Sequence, residues 1–426
     1  MEPERGFRFA YDPPTIRFGQ GCTSDLRSEL HILGYDQALV VTGETTGSTP
    51  EVMRPIRQGL DDRLAGVFTE TTAKKRLQTA VRCADKLAET DADVLVAVGG
   101  GSSLDIARVA SVVAARASSP ETLGTQLAAT GTLSVPDDIT PVVAVPTTLA
   151  GAELSMLAGV SASPSSGLVS EPTGGGIGSQ KLIAPLALYD PELLATTPVD
   201  ILAGSVVNGF NKGIEALYAS TRTPVTDGTA SRGIKLLAAS LPALHPDPSA
   251  EDVGRLARGV MLASYGTTRL SGTSFSVLHA IGHALRIHAD VQLGVAHAAV
   301  TPDTLAWLFE SVDGRRQLLG DALGVVAAND SDTELAAKIV TAIQTLFTDI
   351  ELPDQLRVID GVDRTSLDNV AATAANSFLG ANDAPDQKRA PREARETAHA
   401  WSGTPHTPPG LSVSQADIRD VLQAAW

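Results

Sequence analysis

Cysteine is almost missing from the 426 residues: Cys22 and Cys83 are the only two, and neither sits in a C-x-x-C pair. That excludes a disulfide framework and a zinc–thiolate site, and it suits a reducing compartment. Lysine is scarce as well, with eight residues, and the formal net charge is −16. Such a surface repels nucleic acid and anionic lipid, so neither is an expected partner. A salt-rich cytoplasm and an arginine-favouring, GC-rich genome account for it equally well. No apolar run reaches the roughly 18 residues of a membrane span. The stretch from Met1 to Pro14 carries no signal-like apolar segment. A soluble, cytoplasmic protein is expected.

What is present is enough for two cores. Hydrophobic residues make up 43% of a chain too long for one ordinary domain. Up to about residue 190, short β-branched runs alternate with helix-length segments. Gln37 to Thr42, Asp93 to Val98 and Pro141 to Val145 are strand-like, and Leu186 to Tyr189 is a weaker fourth. The segment Lys75 to Thr90 between them has helical spacing. Continuous apolar strands alternating with helices predict a mostly parallel sheet covered on both faces. After Pro191 the periodicity is helical: Val206 to Ser220, Ile234 to Leu244, Glu251 to Tyr265, Phe275 to His288, Thr333 to Phe347 and Ser366 to Ser377. Two domains follow, an α/β domain over residues 1–190 and an all-α domain over 191–426. Ser163 to Lys181, rich in glycine and serine, reads as a mobile loop beside the cleft. Asn382 to Arg395 reads as polar surface.

Two strand ends carry chemistry. Gly99-Gly100-Gly101-Ser102-Ser103-x-Asp105 follows the run ending at Val98. Glycines that open a helix there let phosphate oxygens approach backbone N–H groups at the positive helix terminus. Pro146-Thr147-Thr148-Leu149-Ala150-Gly151 follows the next run, at the carboxyl end where open α/β sheets bind ligands. Each alone also reads as an ordinary tight turn.

The triple-glycine turn, a P-T-T loop about 45 residues later and the D-P-E-L at Asp190 about 45 residues beyond together resemble the iron-containing alcohol dehydrogenases. The version here, P-T-T-L-A-G-A-E-L-S, is most similar to that of the maleylacetate reductases. Phe9 to Gly21 and Ser412 to Trp426 resemble the family's two ends. The resemblance implies a dehydroquinate synthase-like architecture: a dinucleotide-binding α/β domain, then an all-α domain carrying the substrate site, with the nicotinamide in the cleft between them. It also implies pairing of N-terminal strands in a homodimer and a small-molecule substrate.

In metal-dependent members one aspartate and three histidines hold a divalent ion. Carried over position by position, the aspartate falls on Asn208 and the first histidine on Lys212. The next histidine falls on His279 and the last on Leu293, while His283 takes the proton-relay position. An amide, an ammonium, one imidazole and a leucine are not the donor set of an Fe²⁺ or Zn²⁺ site. Metal is therefore expected to be absent. His297, in G-V-A-H-A-A-V-T-P, resembles a substrate-pocket histidine of the reductases. A rescuing register through His279, His283, His288 and His297 is the alternative, and ordinary buried core histidines are the plain one.

The resulting expectation is an NAD(P)H-dependent reductase of a small carbonyl or keto-acid substrate. Lys212, His279 and His283 are its catalytic candidates, and Asn208, Leu293 and His297 its substrate-binding candidates. Gly43, Gly99, Gly100, Gly101, Ser102, Asp105, Thr147 and Thr148 are its cofactor-binding candidates. Gly43 stands where many relatives carry a ribose-binding aspartate. A glycine there removes the charge that repels a 2′-phosphate, so either NAD or NADP is admitted. The alternatives are a metal-dependent alcohol or glycerol dehydrogenase, and a nucleotide-binding homologue without catalysis.

Overall fold

The four apolar runs become neighbouring strands of one parallel sheet. The computed structural model describes residues 6–270, 272–289, 291–383 and 406–426. The six strands are β1 (Thr15–Phe18), β2 (Ala38–Gly43), β3 (Leu64–Thr71), β4 (Val94–Gly99), β5 (Val142–Pro146) and, late in the chain, Leu186–Tyr189. This last strand lies between β1 and β5, and the other side of β5 continues β4, β2, β3, all parallel. Side chains alternate between two cores. Leu39, Val41, Leu95 and Ala97 enter one, and Ala38, Val40, Val94 and Val96 enter the other. A strand buried on both faces needs no polar alternation, which is why these runs read as continuously apolar. β3 escaped the sequence reading because it is an edge strand and half exposed.

The chain turns outward in opposite directions from β2 and from β4. The crevice at their carboxyl ends is the ligand position of such sheets, with Gly43 and the glycine turn on its two sides.

The segment 163–181 is not simply a loop. It contains a strand, Thr173–Gly178, paired antiparallel with Leu157–Ala162. The glycines that suggested mobility serve close packing: a methyl group at Gly175 would lie 1.9 Å from the Gly131 carbonyl oxygen, and Gly176 N–H donates to that oxygen at 3.0 Å.

Past Pro191 the regular elements among the described residues are helices apart from two two-residue strands, Thr268–Arg269 and Gly272–Thr273, paired antiparallel. Three helices build the site: α1 (Val199–Tyr218), α2 (Val277–Ala289) and α3 (Leu293–Ser311). The other expected segments overlap the helices Pro224–Ser240, Ala250–Ser264, Asp332–Asp349 and Leu367–Asp383, with Ile234 to Leu244 running on into the 3-10 turn Leu241–Leu244. α3 was not foreseen. It is buried nearly all round and contains Pro302, so it shows neither amphipathic spacing nor an uninterrupted helical composition. Asn382 to Arg395 lies almost entirely outside the described residues. None of the described helices is long and apolar enough to cross a membrane.

α1 and α3 meet backbone to backbone. A methyl group at Gly294 would lie 1.5 Å from the Gly204 carbonyl oxygen, and one at Gly204 would lie 2.2 Å from the Gln292 amide oxygen. This contact fixes the start of α3, and with it Leu293 and His297, against the helix that carries Asn208 and Lys212. Gly294→Ala is expected to cost about 1–3 kcal/mol by overpacking. The check is the urea midpoint, and an unchanged midpoint contradicts this packing.

Candidate active site

The glycine turn and the P-T-T loop face each other. Gly99 has φ 142, in the region that favours glycine, and Gly100 opens the helix Gly101–Ala114. A methyl group at Gly100 would lie 3.1 Å from Thr148 Cγ2 and one at Gly101 would lie 3.3 Å from Ala152 Cβ. Thr147 N–H donates to Gly99 O at 3.0 Å. A cavity opens here, lined by Gly99, Gly100, Gly101, Pro146, Thr148 and Glu153 among others. The missing side chains at Gly100 and Gly101 let Thr148 and Ala152 pack directly on the turn, and the helix N-terminus that follows directs backbone N–H groups to this point, an arrangement suited to an anion. Ser102 is half-buried in the first turn of that helix.

Asp105, in the same helix, is buried and forms an ion pair with Lys75 Nζ beside Gly159, and the charges of both act on Lys212. Nothing in its spacing had pointed to Lys75. Gly43 ends β2 with its α-carbon close to Thr71: a methyl group there would lie 3.1 Å from Thr71 O.

The P-T-T loop is held from below by Arg108, which is fully buried. It donates to the carbonyls of Ala152, Ser155, Leu157 and Leu182 at 2.7–3.2 Å. Burial lowers its guanidinium to about 10, which still leaves it charged at neutral pH. From the helical side, Ser205 accepts from Leu149 N–H at 2.9 Å. Lys212 Nζ donates to Ala150 O at 2.8 Å and to Gly151 O at 2.9 Å. The ammonium is buried, lies 5.9 Å from the Phe275 ring centre, and is lowered to about 8 by burial. It remains mostly protonated at pH 7. Two of its three N–H groups are committed, and the third has no partner among the described residues.

His279 stands on α2 in a fixed orientation. Its ring stacks on Phe275, with centres 4.4 Å apart and planes at 12°. Its Nδ1 lies 2.5 Å from Glu215 Oε2, and its backbone N–H donates to Glu215 Oε1 at 3.1 Å. Burial is the main cause that raises the Glu215 carboxyl to about 8 and lowers the His279 imidazole to about 3. Both shifts favour the uncharged forms. His279 Nε2 is buried with no hydrogen-bond partner among the described residues. Glu215 was missed in the sequence. The signal was a lone carboxylate inside the apolar stretch Gly213-Ile214-Glu215-Ala216-Leu217.

His297 lies edge-on to His279, with centres 4.8 Å apart, and is fully buried. It packs over Gly282, where a methyl group would meet its Cδ2 at 2.3 Å, and Leu293 lines the same spot. It therefore backs His279 rather than opening on the cleft, and both its nitrogens lack partners among the described residues. His283 follows one turn after His279, with ring centres 6.2 Å apart, and burial lowers it to about 3. Asn208 is half-buried, and its Oδ1 lacks a partner among the described residues. His288 points outward to Thr373.

The donor chemistry at the positions of the family's metal ligands does not fit a divalent ion. Lys212 presents N–H groups, already donated to carbonyls, and Leu293 presents none. Among the described residues no three His, Cys, Asp or Glu side chains converge on one point.

Comparison with known proteins identifies the family and the fold. The iron-containing alcohol dehydrogenase model matches residues 13–191, and the family's C-terminal model matches residues 202–390. A maleylacetate reductase of Sphingobium indicum is 28% identical over 320 residues, covering 74% of this chain and 80% of the relative. Among solved structures, a 1,3-propanediol oxidoreductase superposes with a TM-score of 0.82 at 20% identity, over 99% of this chain and 100% of the other. The sulfoacetaldehyde reductase of Bifidobacterium kashiwanohense, solved in complex with NAD+, superposes with a TM-score of 0.78 at 18% identity, over 99% of each chain. These two likenesses establish the fold. The chain belongs to the iron-containing alcohol dehydrogenase family and is an NAD(P)-dependent oxidoreductase.

Proposed function

We propose that the protein reduces a small carbonyl or keto-acid substrate with NAD(P)H, in the manner of maleylacetate reductase, and that it does so without a metal ion. The α/β domain, residues 1–190, would take the nucleotide, and the helical domain, 191–426, the substrate. Gly99, Gly100, Gly101 and Ser102 would carry the pyrophosphate, with Thr147 and Thr148 beside it. A bound nicotinamide supplies a hydride to the substrate carbon.

One observation carries the reading. A buried ammonium, Lys212 Nζ, stands on the helix turn of a replaced ligand with one N–H uncommitted. Negative charge builds on a carbonyl oxygen as its carbon is reduced, and a pre-set donor in a dry site stabilises that charge. His279 and His283, one turn apart on α2, would supply a proton. Asn208 offers a neutral polar contact, and Leu293 an apolar wall.

Three outcomes follow. Lys212→Ala and Lys212→Met are expected to lower turnover by about 10²-fold or more while nucleotide affinity, read by fluorescence titration, changes far less, because Arg108 and the bond from Thr147 to Gly99 still hold the loop. Near wild-type turnover in Lys212→Ala would reduce the lysine to a clamp on the Ala150–Gly151 loop. Reductive kcat is expected to fall as pH rises through about 8, because the lowered Lys212 loses its proton there and with it the charge. The Glu215 carboxyl, raised to about 8, changes in the same window and in the same direction. A rate that rises across that window contradicts the assignment. NADPH is expected to bind within about tenfold of NADH, roughly 1.4 kcal/mol, and Gly43→Asp to weaken NADPH selectively. Outright rejection of NADPH by the wild type would mean that another carboxylate reaches the ribose.

A further inference from the structure

We propose that Glu215 is the positioning residue of the site: it holds His279 through Nδ1 so that Nε2 is the atom offered to the reacting oxygen, and it balances the charge when Nε2 carries a proton. The proposal deepens the reductase reading above and rests on it.

The geometry leaves His279 little freedom. Glu215 Oε2 is 2.5 Å from Nδ1, Phe275 covers one ring face, and His297 abuts the ring edge-on. Glu215 is fully buried, and Tyr218 OH lies 3.4 Å from its Oε1. Only Nε2 is left over, and it has no hydrogen-bond partner among the described residues although it is shielded from water. A buried imidazole nitrogen held in place without a partner is complementary to a ligand oxygen. An acid fixing one ring nitrogen while the other does chemistry is the division of labour seen in Ser-His-Asp triads.

The proton count closes without a further reactant. When the Glu215–His279 pair holds two protons, one lies on the Oε2···Nδ1 line and the other is on Nε2, whichever atom formally carries the first. In reduction, as the substrate carbon takes the hydride, the Nε2–H bond breaks and the new O–H bond forms. The pair is left with its shared proton alone, and solvent restores the second. Alcohol oxidation runs the same steps backwards. Without the carboxyl group, the second proton would put an uncompensated positive charge in a buried site near Lys212.

A plainer role for Glu215 is also on the page, since it accepts the backbone N–H of His279 in the first turn of α2. Glu215→Gln separates the two. The amide keeps the size and one accepting oxygen for that N–H but cannot share a proton with Nδ1 in the same way. A helix-capping role predicts lower stability with unchanged kcat in the folded fraction. The positioning role predicts a kcat lower by about 10²-fold or more, with the KM for the nucleotide unchanged. It also predicts a changed pair of ring ¹⁵N shifts for His279, assigned by difference against His279→Gln. Wild-type kcat, or identical ring shifts in Glu215→Gln, overturns the proposal. Should that variant fail to fold, the wild-type spectrum decides: an Nδ1 resonance with no sign of a shared proton overturns it. The ¹⁵N readout needs no substrate. A Glu215-dependent ring signal in a protein that reduces nothing would defeat the reductase reading and leave the positioning role standing.

Discussion

Lys212 donates to the carbonyls of Ala150 and Gly151, and these two bonds tie the loop at the end of β5 to the helix that bears Asn208 and Glu215. The rest of the site depends on that junction. Arg108 holds the same stretch through the carbonyls of Ala152 and Ser155 and ties it to those of Leu157 and Leu182, so the loop is clamped between two buried cations. Thr147 meets the glycine turn at one end of the loop, and Lys212 meets it at the other. The glycine turn and the side chains of Lys212 and Glu215 are thereby set in one frame, as hydride transfer between fixed partners would require under the proposed function.

Burial does most of the electrostatic work. It brings Lys212 down to about 8 and Glu215 up to about 8, and it holds His279 and His283 well below the ordinary imidazole range. A divalent ion demands several neutral or anionic donors around one point. This cleft instead offers an ammonium, a leucine and an amide at three of the positions where relatives have ligands. The replacement is coherent: one fixed positive charge, one oriented imidazole and an otherwise dry wall are parts from which carbonyl reduction can be assembled without a bound cation.

Much of this was legible in the sequence. Fully buried strands such as Val94–Gly99 announce themselves because both faces are apolar, and the glycine turn and P-T-T loop sit directly after two of them. Strand Leu64–Thr71 was hidden by its exposed edge, and the helix Leu293–Ser311 by burial all round and by Pro302. The glycines of Thr173–Gly178 resembled a loop, although Gly175 is needed for contact with Gly131. In the site, position matching named Lys212 and His279, and the structure brings both beside Phe275. The partners of the chosen residues were not legible, because hydrogen bonds across 64 and 62 residues leave no local pattern. Asp105 turned out to pair with Lys75, His297 to back His279, and Glu215 to hold it.

The central claim is that a lysine, rather than a metal ion, supplies the positive charge in this cleft. Elemental analysis of the purified protein, paired with reductase assays before and after chelator, tests it most directly. The account predicts well under one equivalent of Fe, Zn, Mn or Ni per chain and an undiminished rate after chelation. A stoichiometric ion bound through His279, with activity that chelator abolishes and the ion restores, would contradict it.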